Sequence, residues 1–344
     1  MSSQPIERDS QAHVAAVAEG RCLAELPAWT EITVGGRDAQ GFLHRLCAAD
    51  IRPLKPGEGL PAFFLDARGR TVALVDVYRL SEGFEIASSP GQSGALLAHL
   101  ERYRIREKVT FQDVSERRRH FRFFGQGAAE RLRALLGPLP HEAARSHTEP
   151  LDIIASQPGD HAVLCVADGP ITLRCIRRGR LDAFALVCDS EHADAFRRHI
   201  SEQGAVTVPP SVWEAVRIEL GLPEVGRDIS PDCLGPEVSP DPRAISTTKG
   251  CYLGQETVAR LDAHGHLNRK LRGLRLGNAI PAVGTELFLA NKPVGQITSA
   301  AYSPHRREGL ALAMLRKEAW EPGTVVTWQN GEVVVTDLPF DDPC

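Results

Sequence analysis

The sequence predicts a protein of mixed helices and strands in two or three domains, the last of which is a small all-β domain. The chain has 344 residues, whereas a single domain usually has about 100–200. Helical and strand patterns alternate up to about residue 270, and short strands separated by Gly, Pro and Asn follow. Hydrophobic residues make up 42% of the chain and charged residues 24%, so the composition is that of a globular protein with a packed core.

Charge and hydropathy exclude two broad classes of protein. The formal net charge is −4, so a broad basic field is missing, and we expect no direct contact with nucleic acid. No uninterrupted apolar run approaches the roughly 20 residues of a membrane-spanning helix. The N-terminus lacks the basic and apolar segments of a signal peptide. We therefore expect a cytoplasmic protein that does not interact with membranes.

The chain has eight cysteines, and no two of them form a Cys-x-x-Cys pair. Disulfide-bonded proteins are usually short, secreted and rich in cysteine. The sequence therefore predicts free thiols in a reducing compartment, most of them small buried residues.

The N-terminal part of the chain begins with a polar, alanine-rich segment over residues 1–25, whose composition suits a frayed helix. Residues 31–34 predict a strand, and Asp38 is a candidate N-cap for the helix that follows. Residues 61–66 and 71–80 predict the two strands of a hairpin with glycine in its turn.

Helices and strands continue to alternate in the middle of the chain. Helical spacing recurs over residues 93–107, 128–136 and 190–202, strand patterns cover residues 111–125 and 162–188, and a loop is expected over residues 138–150. Ser211 and Glu214 match the capping box S-x-x-E, which predicts a helix closed by Gly221. Residues 222–248 predict a long irregular stretch, and Asn330-Gly331 predicts a hairpin turn in the β domain.

The residues with the clearest chemical content are 249–256, with the sequence KGCYLGQE. Gly250 and Gly254 allow a turn or a close backbone approach, and a helix is predicted from about Gly254. Cys251 then lies just before a helix N-terminus with Lys249 nearby, and both the helix dipole and the ammonium group favour a thiolate. This pattern predicts a reactive cysteine assisted by Lys249.

A simpler interpretation of the same segment stays open, in which Cys251 is a small buried residue and the glycines only form turns. The segment does not match a zinc site, because His264 and His266 lie too far along the chain and a second cysteine is missing. It also matches neither of the glycine-rich phosphate loops, GxxxxGK[ST] and GxGxxG. The sequence therefore predicts no metal site here.

Residues 249–256 and the following Val258-Ala259-Arg260 resemble a motif of the YgfZ-type folate-binding proteins. These are relatives of the T-protein, the aminomethyltransferase of the glycine cleavage system. The resemblance extends to residues 32–51, 64–70, 217–228 and 295–304. It does not include the first 25 or so residues or about residues 125–205.

The resemblance implies an α+β fold with three domains in a ring around a central folate pocket and a small β-barrel as the last domain. The expected boundaries are a polar N-terminal extension over 1–25 and a first α+β domain over 26–115. A second α+β domain over 116–270, interleaved with the first, contains the motif, and the barrel covers 271–344.

The resemblance also implies which residues bind tetrahydrofolate or a one-carbon derivative of it. Glu219 is expected to accept two adjacent N–H donors of the pterin, which suits a carboxylate. The alternative is that the carboxylate of Glu219 only pairs with a neighbour such as Arg217. Arg217 is itself among the residues expected to bind the folate. Tyr252 is expected to stack in the pocket and Arg260 to bind a glutamyl carboxylate. Gln255 either joins them or caps the start of the helix.

Two departures separate this chain from the aminomethyltransferases. Those enzymes have two aspartates shortly after the hairpin glycine, one of them catalytic, and the matching positions here are Ala73 and Leu74. Asp76 would share a strand face with Leu74, and we expect it to be structural or exposed. The aminomethyltransferases, in turn, do not have the cysteine that stands at position 251.

The resemblance therefore implies a tetrahydrofolate-binding accessory protein that supports assembly or repair of iron–sulfur clusters, with Cys251 as the essential thiol. Its partners would be client enzymes, including tRNA-modifying ones, or cluster-assembly proteins. One cysteine cannot hold a cluster by itself, so we expect no permanently bound cluster. The alternative is an aminomethyltransferase that produces methylene-tetrahydrofolate and ammonia. A third possibility is a folate-binding module without chemistry, in which Cys251 is dispensable.

Overall fold

A computed structural model describes residues 11–136, 157–177, 179–238, 241–264, 267–329 and 331–340, and within this part the side chains of residues 262–264 are left out. The loop expected over residues 138–150 lies outside these ranges. The described chain forms two sheets and a closed barrel, connected by helices and by one long irregular stretch.

The first sheet is antiparallel, has five strands in the order β3-β4-β5-β2-β6, and contains the predicted hairpin as β3 and β4. Its strands are β2 (Thr30–Gly35), β3 (Gly59–Leu65), β4 (Thr71–Arg79), β5 (Phe84–Ser88) and β6 (Thr110–Asp113). Helices α2 (Ala39–Leu46) and α3 (Ser93–Tyr103) pack on one face through a shared apolar core. Val75 and Val77 of β4 point into this core, so the alternate residues of the strand face the other way.

The second sheet has six strands in the order β11-β1-β7-β10-β9-β8. Its strands are β1 (Cys22–Leu26), β7 (Arg118–Gly125), β8 (His161–Val166), β9 (Gly169–Arg177), β10 (Asp182–Asp189) and β11 (Val206–Thr207). Helices α4 (Ala128–Leu136) and α5 (Ala193–Glu202) cover one face, and α1 (Gln11–Ala18) and α6 (Pro210–Glu219) cover the other.

The N-terminal segment differs from the expected polar extension, because β1 pairs with β7 and with β11 in the second sheet. Leu23 and Ala24 of β1 are buried in the two cores of this sheet. The chain thus supplies a strand to the second sheet before it forms the first sheet, which interleaves the two units.

The last unit is a closed barrel of six strands in the order β12-β15-β14-β13-β16-β17. Its strands are β12 (Arg269–Gly277), β13 (Glu286–Leu289), β14 (Lys292–Ser303), β15 (Glu308–Arg316), β16 (Val325–Trp328) and β17 (Gly331–Thr336). The predicted all-β domain and the hairpin between β16 and β17 are confirmed, although Asn330 lies outside the described residues. A separate apolar core fills the barrel.

Helix α6 lies between the units and contacts β1 as well as β14 and β15 of the barrel. It begins at Pro210 with Pro209 as N-cap, so the predicted capping box at Ser211 is wrong. Proline suits the first helical position because its missing N–H would have no partner there. Glu214 pairs instead with Arg217 and Arg227.

The stretch after α6 is largely irregular, as predicted. It contains α7 (Gly235–Val238) and a short 3-10 turn at Pro242–Ala244, and it leads to α8 (Gln255–His264), whose predicted start is confirmed. Of the seven cysteines within the described ranges, five are buried, whereas Cys165 and Cys251 are exposed. Within the described ranges, no helix is long and apolar enough to span a membrane.

Candidate functional site

A cavity of about 190 Å³ lies where both sheets, α6 and the residues after the barrel meet. Its wall includes the aromatic side chains of Trp29, Tyr78 and Trp213. Charged side chains from distant parts of the chain also line it: Asp76, Arg122, Arg174, Arg177, Arg217, Glu224, Asp241 and Arg243. A largely apolar wall with a few polar groups is typical of small-molecule sites.

Arg122 of β7 lies between two indole rings on the cavity wall. Its guanidinium carbon is 4.9 Å from the ring centre of Trp29 and 5.6 Å from that of Trp213. Nη1 donates to the carbonyl of Phe121 at 3.2 Å, but Nε has no hydrogen-bond partner in the described structure. The residue is 4% exposed, and burial lowers its pKa to about 10. A guanidinium so placed is costly unless a partner reaches it.

Asp76 of β4 lines the same cavity, together with Leu74 on the same strand face. The shared face was predicted, and Asp76 is exposed, as expected, on the wall of the cavity. Across the described chain, we find no hydrogen-bond or ion-pair partner for its carboxylate. The side chain is exposed to the cavity, and desolvation by the surrounding protein raises its pKa, against the opposing charges of Arg174 and Arg122.

Arg174 of β9 joins the two sheets beneath the cavity. Its Nη1 donates to Oε1 of Glu31 on β2 at 2.6 Å, and its Nη2 donates to Glu85 on β5. The guanidinium also lies 4.4 Å from the ring centre of Tyr78. Burial raises the pKa of Glu31 to about 7, while Arg174 opposes the rise and Glu85 adds to it.

Arg217 lines the cavity, but its guanidinium is already bound by protein groups. Nη1 donates to Asp228 at 2.9 Å, and Nη2 donates to Ser299 of the barrel and to Glu214, both at 2.7 Å. Asp228 accepts from Ser299 as well, at 2.7 Å. Arg217 therefore connects α6, the irregular stretch and the barrel, and its assignment to folate stays a prediction.

Glu219 ends α6 against the barrel and is not among the residues that line the cavity. Ser303 Oγ donates to its Oε2 at 2.7 Å, and His305 Nδ1 and Arg306 Nε lie 2.8 and 3.2 Å from its Oε1. Both carboxylate oxygens therefore have protein partners. The expected contact between Glu219 and a pterin stays a prediction, and the position of this cavity does not support it.

Lys249 fixes the residues around Cys251 to the end of α2. Its ammonium group donates to the carbonyl oxygens of His44, Cys47 and Ala49 at 2.6, 2.9 and 2.8 Å. Burial lowers its pKa, although a cation at a helix C-terminus is electrostatically favourable. All three of its donors are thus used by the backbone, and its predicted effect on the thiol stays a prediction.

The start of α8 packs closely on the hairpin between β3 and β4. A Cβ at Gly254 would lie 2.6 Å from the carbonyl oxygen of Asp66, and one at Gly69 would lie 2.7 Å from Cβ of Thr257. Thr257 Oγ1 donates to the carbonyl of Arg68 at 2.9 Å. These contacts explain why both positions require glycine.

Cys251 is exposed in the turn that these contacts hold. The amide of Tyr252 donates to Oε1 of Gln255 at 2.9 Å, so the side chain of Gln255 holds the turn before α8, and both roles considered for it stay predictions. The ring centre of Tyr252 is 5.2 Å from Nζ of Lys249. Arg260 is exposed further along α8.

The predicted site residues therefore occupy two places. Arg217 lines the cavity, whereas Lys249, Cys251, Tyr252, Gln255 and Arg260 are not among its lining residues. The side chain of His264 and all of His266 lie outside the described structure. Among the described side chains, no three His, Cys, Asp or Glu residues form a group suited to a metal ion.

Sequence reasoning did not place Asp76 and Arg122, which form no ion pair with any described residue, in a binding site. Arg122 interrupts the apolar run His120-Phe121-Arg122-Phe123-Phe124, and Asp76 interrupts Val75-Asp76-Val77. A charged residue within an otherwise apolar strand is rare unless it has a partner or a function. This signal was available, but the alternation of strand faces does not reveal which face borders a cavity.

Two domain families match the chain. The GCVT N-terminal domain matches residues 3–154, and the glycine cleavage T-protein C-terminal barrel domain matches residues 269–342. The chain belongs to the glycine cleavage T-protein superfamily. The second match coincides with the closed barrel, so the strand patterns after residue 270 are those of a T-protein barrel.

T-protein superfamily members with two different names are similar to this chain. An aminomethyltransferase of Thermus thermophilus is 27% identical over 90% of this chain and 84% of its own length. The tRNA-modifying protein YgfZ of Escherichia coli O157:H7 is 26% identical over 90% of this chain and 85% of its own length. These values favour neither name.

A solved T-protein structure confirms the predicted fold. The crystal structure of aminomethyltransferase T from Bartonella henselae matches with a TM-score of 0.78 over 96% of this chain and 89% of that one, at 18% identity. The α+β fold with a C-terminal barrel is therefore established for this superfamily member.

Proposed function

We propose that this chain binds tetrahydrofolate or a one-carbon derivative of it and supports assembly or repair of iron–sulfur clusters in client enzymes through the thiol of Cys251. tRNA-modifying enzymes are among the proposed clients, and the cytoplasm is the proposed location. The observation that supports this function is the local geometry of residues 249–256. Lys249, Gly254 and Gln255 hold the turn, and Cys251 is exposed on it. An exposed thiol on a well-held turn is accessible to a partner protein.

The cavity residues fit a folate. A pterin is a flat heterocycle with N–H donors and acceptors along its edge. Trp29 and Trp213 offer aromatic surface for such a ring, the carboxylate of Asp76 can accept from N–H groups, and the guanidinium of Arg122 can donate. Bound tetrahydrofolate would supply one-carbon or reducing chemistry. The residues of this chain bind and orient it and exclude water.

The test compares Cys251→Ala with Cys165→Ala, since these are the two exposed cysteines of the described structure. Cells that lack the gene are complemented with each variant, and tRNA thiolation that depends on a [4Fe–4S] enzyme is measured. We expect the wild type and Cys165→Ala to restore thiolation, and Cys251→Ala to fail at equal protein level.

Full restoration by Cys251→Ala would exclude the thiol mechanism and favour a folate-binding module without chemistry. An unchanged thiolation level in the deletion strain would exclude the proposed clients. Calorimetric titration of the purified protein with tetrahydrofolate tests the cofactor part separately.

A second candidate function is aminomethyl transfer to tetrahydrofolate, which gives methylene-tetrahydrofolate and ammonia. The observation in its favour is the carboxylate of Asp76 in the cavity, although positions 73 and 74 have no carboxylate. This function predicts ammonia release from an aminomethylated carrier protein, and loss of that release in Asp76→Asn. If the wild type releases no ammonia from an aminomethylated carrier protein in the presence of tetrahydrofolate, aminomethyl transfer is excluded.

A further inference from the structure

The cavity wall contains two kinds of charged residue. Arg174, Arg217 and Arg243 form ion pairs with carboxylates of the protein, at 2.6, 2.9 and 2.7 Å respectively. Asp76 and Arg122 form no such pair with any described residue. Arg174 and Arg217 therefore support the fold. The polar groups of the wall that remain for a ligand include Asp76, Arg122, Arg177 and the indole Nε1 of Trp213.

Arg122 is 4% exposed, so its unpaired charge is expensive, whereas the side chain of Asp76 is exposed to the cavity. A carboxylate or guanidinium that leaves bulk water without gaining a partner costs several kcal/mol at the upper end of the range. Asp76 also faces Asp241, so its surroundings are not uniformly positive. A residue with this cost and no structural partner is typical of a binding site, where the ligand supplies the missing partner.

We propose that Asp76 and Arg122 are the two residues that recognise the heterocycle in the cavity. Asp76 accepts hydrogen bonds from the adjacent N–H donors of an aminopyrimidinone edge, and the guanidinium of Arg122 donates to the neighbouring carbonyl oxygen. This inference rests on the proposed folate binding and assigns to Asp76 the contact that the family resemblance assigns to Glu219.

The surroundings of the two carboxylates support this assignment. Both oxygens of Glu219 already have partners in Ser303, His305 and Arg306, and Glu219 is absent from the cavity wall. The carboxylate of Asp76 is open to the cavity and has both oxygens available. A carboxylate has about four acceptor sites, so the three partners of Glu219 leave it less capacity for two further N–H groups than Asp76 has.

The ligand class follows from the two charges together. A ligand with donors at one edge and an acceptor beside them satisfies both residues, whereas a simple carboxylate or phosphate would be repelled by Asp76. The cavity is therefore selective for a neutral amide-like heterocycle, and the two indole rings beside Arg122 provide apolar surface for its faces.

The test is a titration of the full-length protein with 5-formyltetrahydrofolate, in which binding is measured by calorimetry and by tryptophan fluorescence. We expect Asp76→Asn and Arg122→Met each to weaken binding about tenfold to a hundredfold, the range of a charge-assisted hydrogen bond. Asp194→Asn, at an exposed position of α5 with 80% side-chain exposure, is the matched control. Thermal unfolding without ligand shows that each variant is folded.

An analogue of the same folate without its 2-amino group tests the contact from the ligand side. We expect the wild type to bind this analogue about tenfold more weakly than the parent folate, and Asp76→Asn to discriminate much less between the two. Glu219→Gln tests the alternative, in which Glu219 makes this contact. A larger loss in Glu219→Gln than in Asp76→Asn, or equal discrimination by the wild type and Asp76→Asn, would overturn the inference.

These outcomes separate the inference from the proposed function. If the wild-type protein binds no folate, both the proposed function and the inference about Asp76 and Arg122 are excluded. If the wild type binds folate and Asp76→Asn binds it with the same affinity, only the assignment of Asp76 is excluded and the proposed function stands.

Discussion

Asp76 combines a charge, a position on the cavity wall and the absence of a partner among the described side chains. Its side chain is exposed to the cavity, but desolvation by the surrounding protein raises its pKa, so the native protein holds a proton at this site more tightly than the unfolded chain does. Ionisation of Asp76 therefore costs stability. The cost is absent below the unfolded pKa of about 3.9 and grows as the pH rises through the higher native pKa.

We predict that Asp76→Asn stabilises the ligand-free protein at pH 7, because the uncharged amide avoids this cost. The gain should shrink as the pH falls toward about 4, where the wild-type carboxyl group also becomes neutral. Urea unfolding at both pH values measures the effect, with Asp194→Asn as control. A loss of stability at pH 7 would show that Asp76 forms a favourable ion pair in solution, contrary to its surroundings here.

At the scale of the element, the turn before α8 depends on glycine. Gly254 has φ +81°, and a Cβ there would lie 2.6 Å from the carbonyl oxygen of Asp66. Gly277 has φ +63° but open space around it. The two positions therefore share the cost of a left-handed backbone and differ in the steric clash.

We predict that Gly254→Ala destabilises the protein by at least about 1 kcal/mol more than Gly277→Ala, since overpacking adds about 1–3 kcal/mol to the backbone cost. Free energies of unfolding from urea titrations give the comparison. Equal losses in the two variants would mean that the hairpin moves away from α8 without cost, and that Cys251 is not held as described.

At the scale of the whole molecule, a buried charge cluster connects the two sheets. Arg174 belongs to the second sheet, while Glu31 and Glu85 belong to the first. Arg118 adds a more distant positive charge, with Nε 3.9 Å from Glu31. Two carboxylates share one close arginine, so its removal leaves both of them buried without a near partner.

We predict that Arg174→Met destabilises the protein by about 3–5 kcal/mol at pH 7, the usual cost of breaking a buried pair on one side. Without Arg174 the pKa of Glu31, already raised to about 7, rises further. Stability that depends on a protonated carboxyl group is lost as the pH increases, so the deficit should be smaller at pH 5 than at pH 7.

The control for this prediction is Arg316→Met, at an exposed position where β15 ends. Chemical unfolding of both variants at the two pH values tests it. A loss of stability that does not change with pH would mean that lost packing dominates the effect, and not the buried charges of Glu31 and Glu85 that are left without Arg174.

Much of the local structure was predictable, because it depends on neighbours in the sequence. The hairpin of β3 and β4 follows from alternating residues around a glycine turn, and α8 begins at Gln255, where helix propensity resumes after Gly254. The change of pattern after residue 270 corresponds to the barrel. The prediction at Ser211 was wrong because a proline before it starts the helix instead.

The site was less predictable, because its contacts join residues that are far apart along the chain. Lys249 and the carbonyls it binds are about 200 residues apart, and no local pattern indicates that the ammonium group is already used. Asp76, Arg122 and Trp213 reach one cavity from β4, β7 and α6.

The sequence by itself determined the mixed architecture, the all-β last domain, the start of α8 and the motif around Cys251, since each depends on short-range periodicity, turn residues or helix propensity. Only the tertiary structure decided that β1 joins the second sheet, that Glu219 is bound by the barrel, and that Asp76 and Arg122 form no ion pair among the described residues. Whether a polar side chain is paired depends on long-range packing, which brings together residues that no local pattern connects.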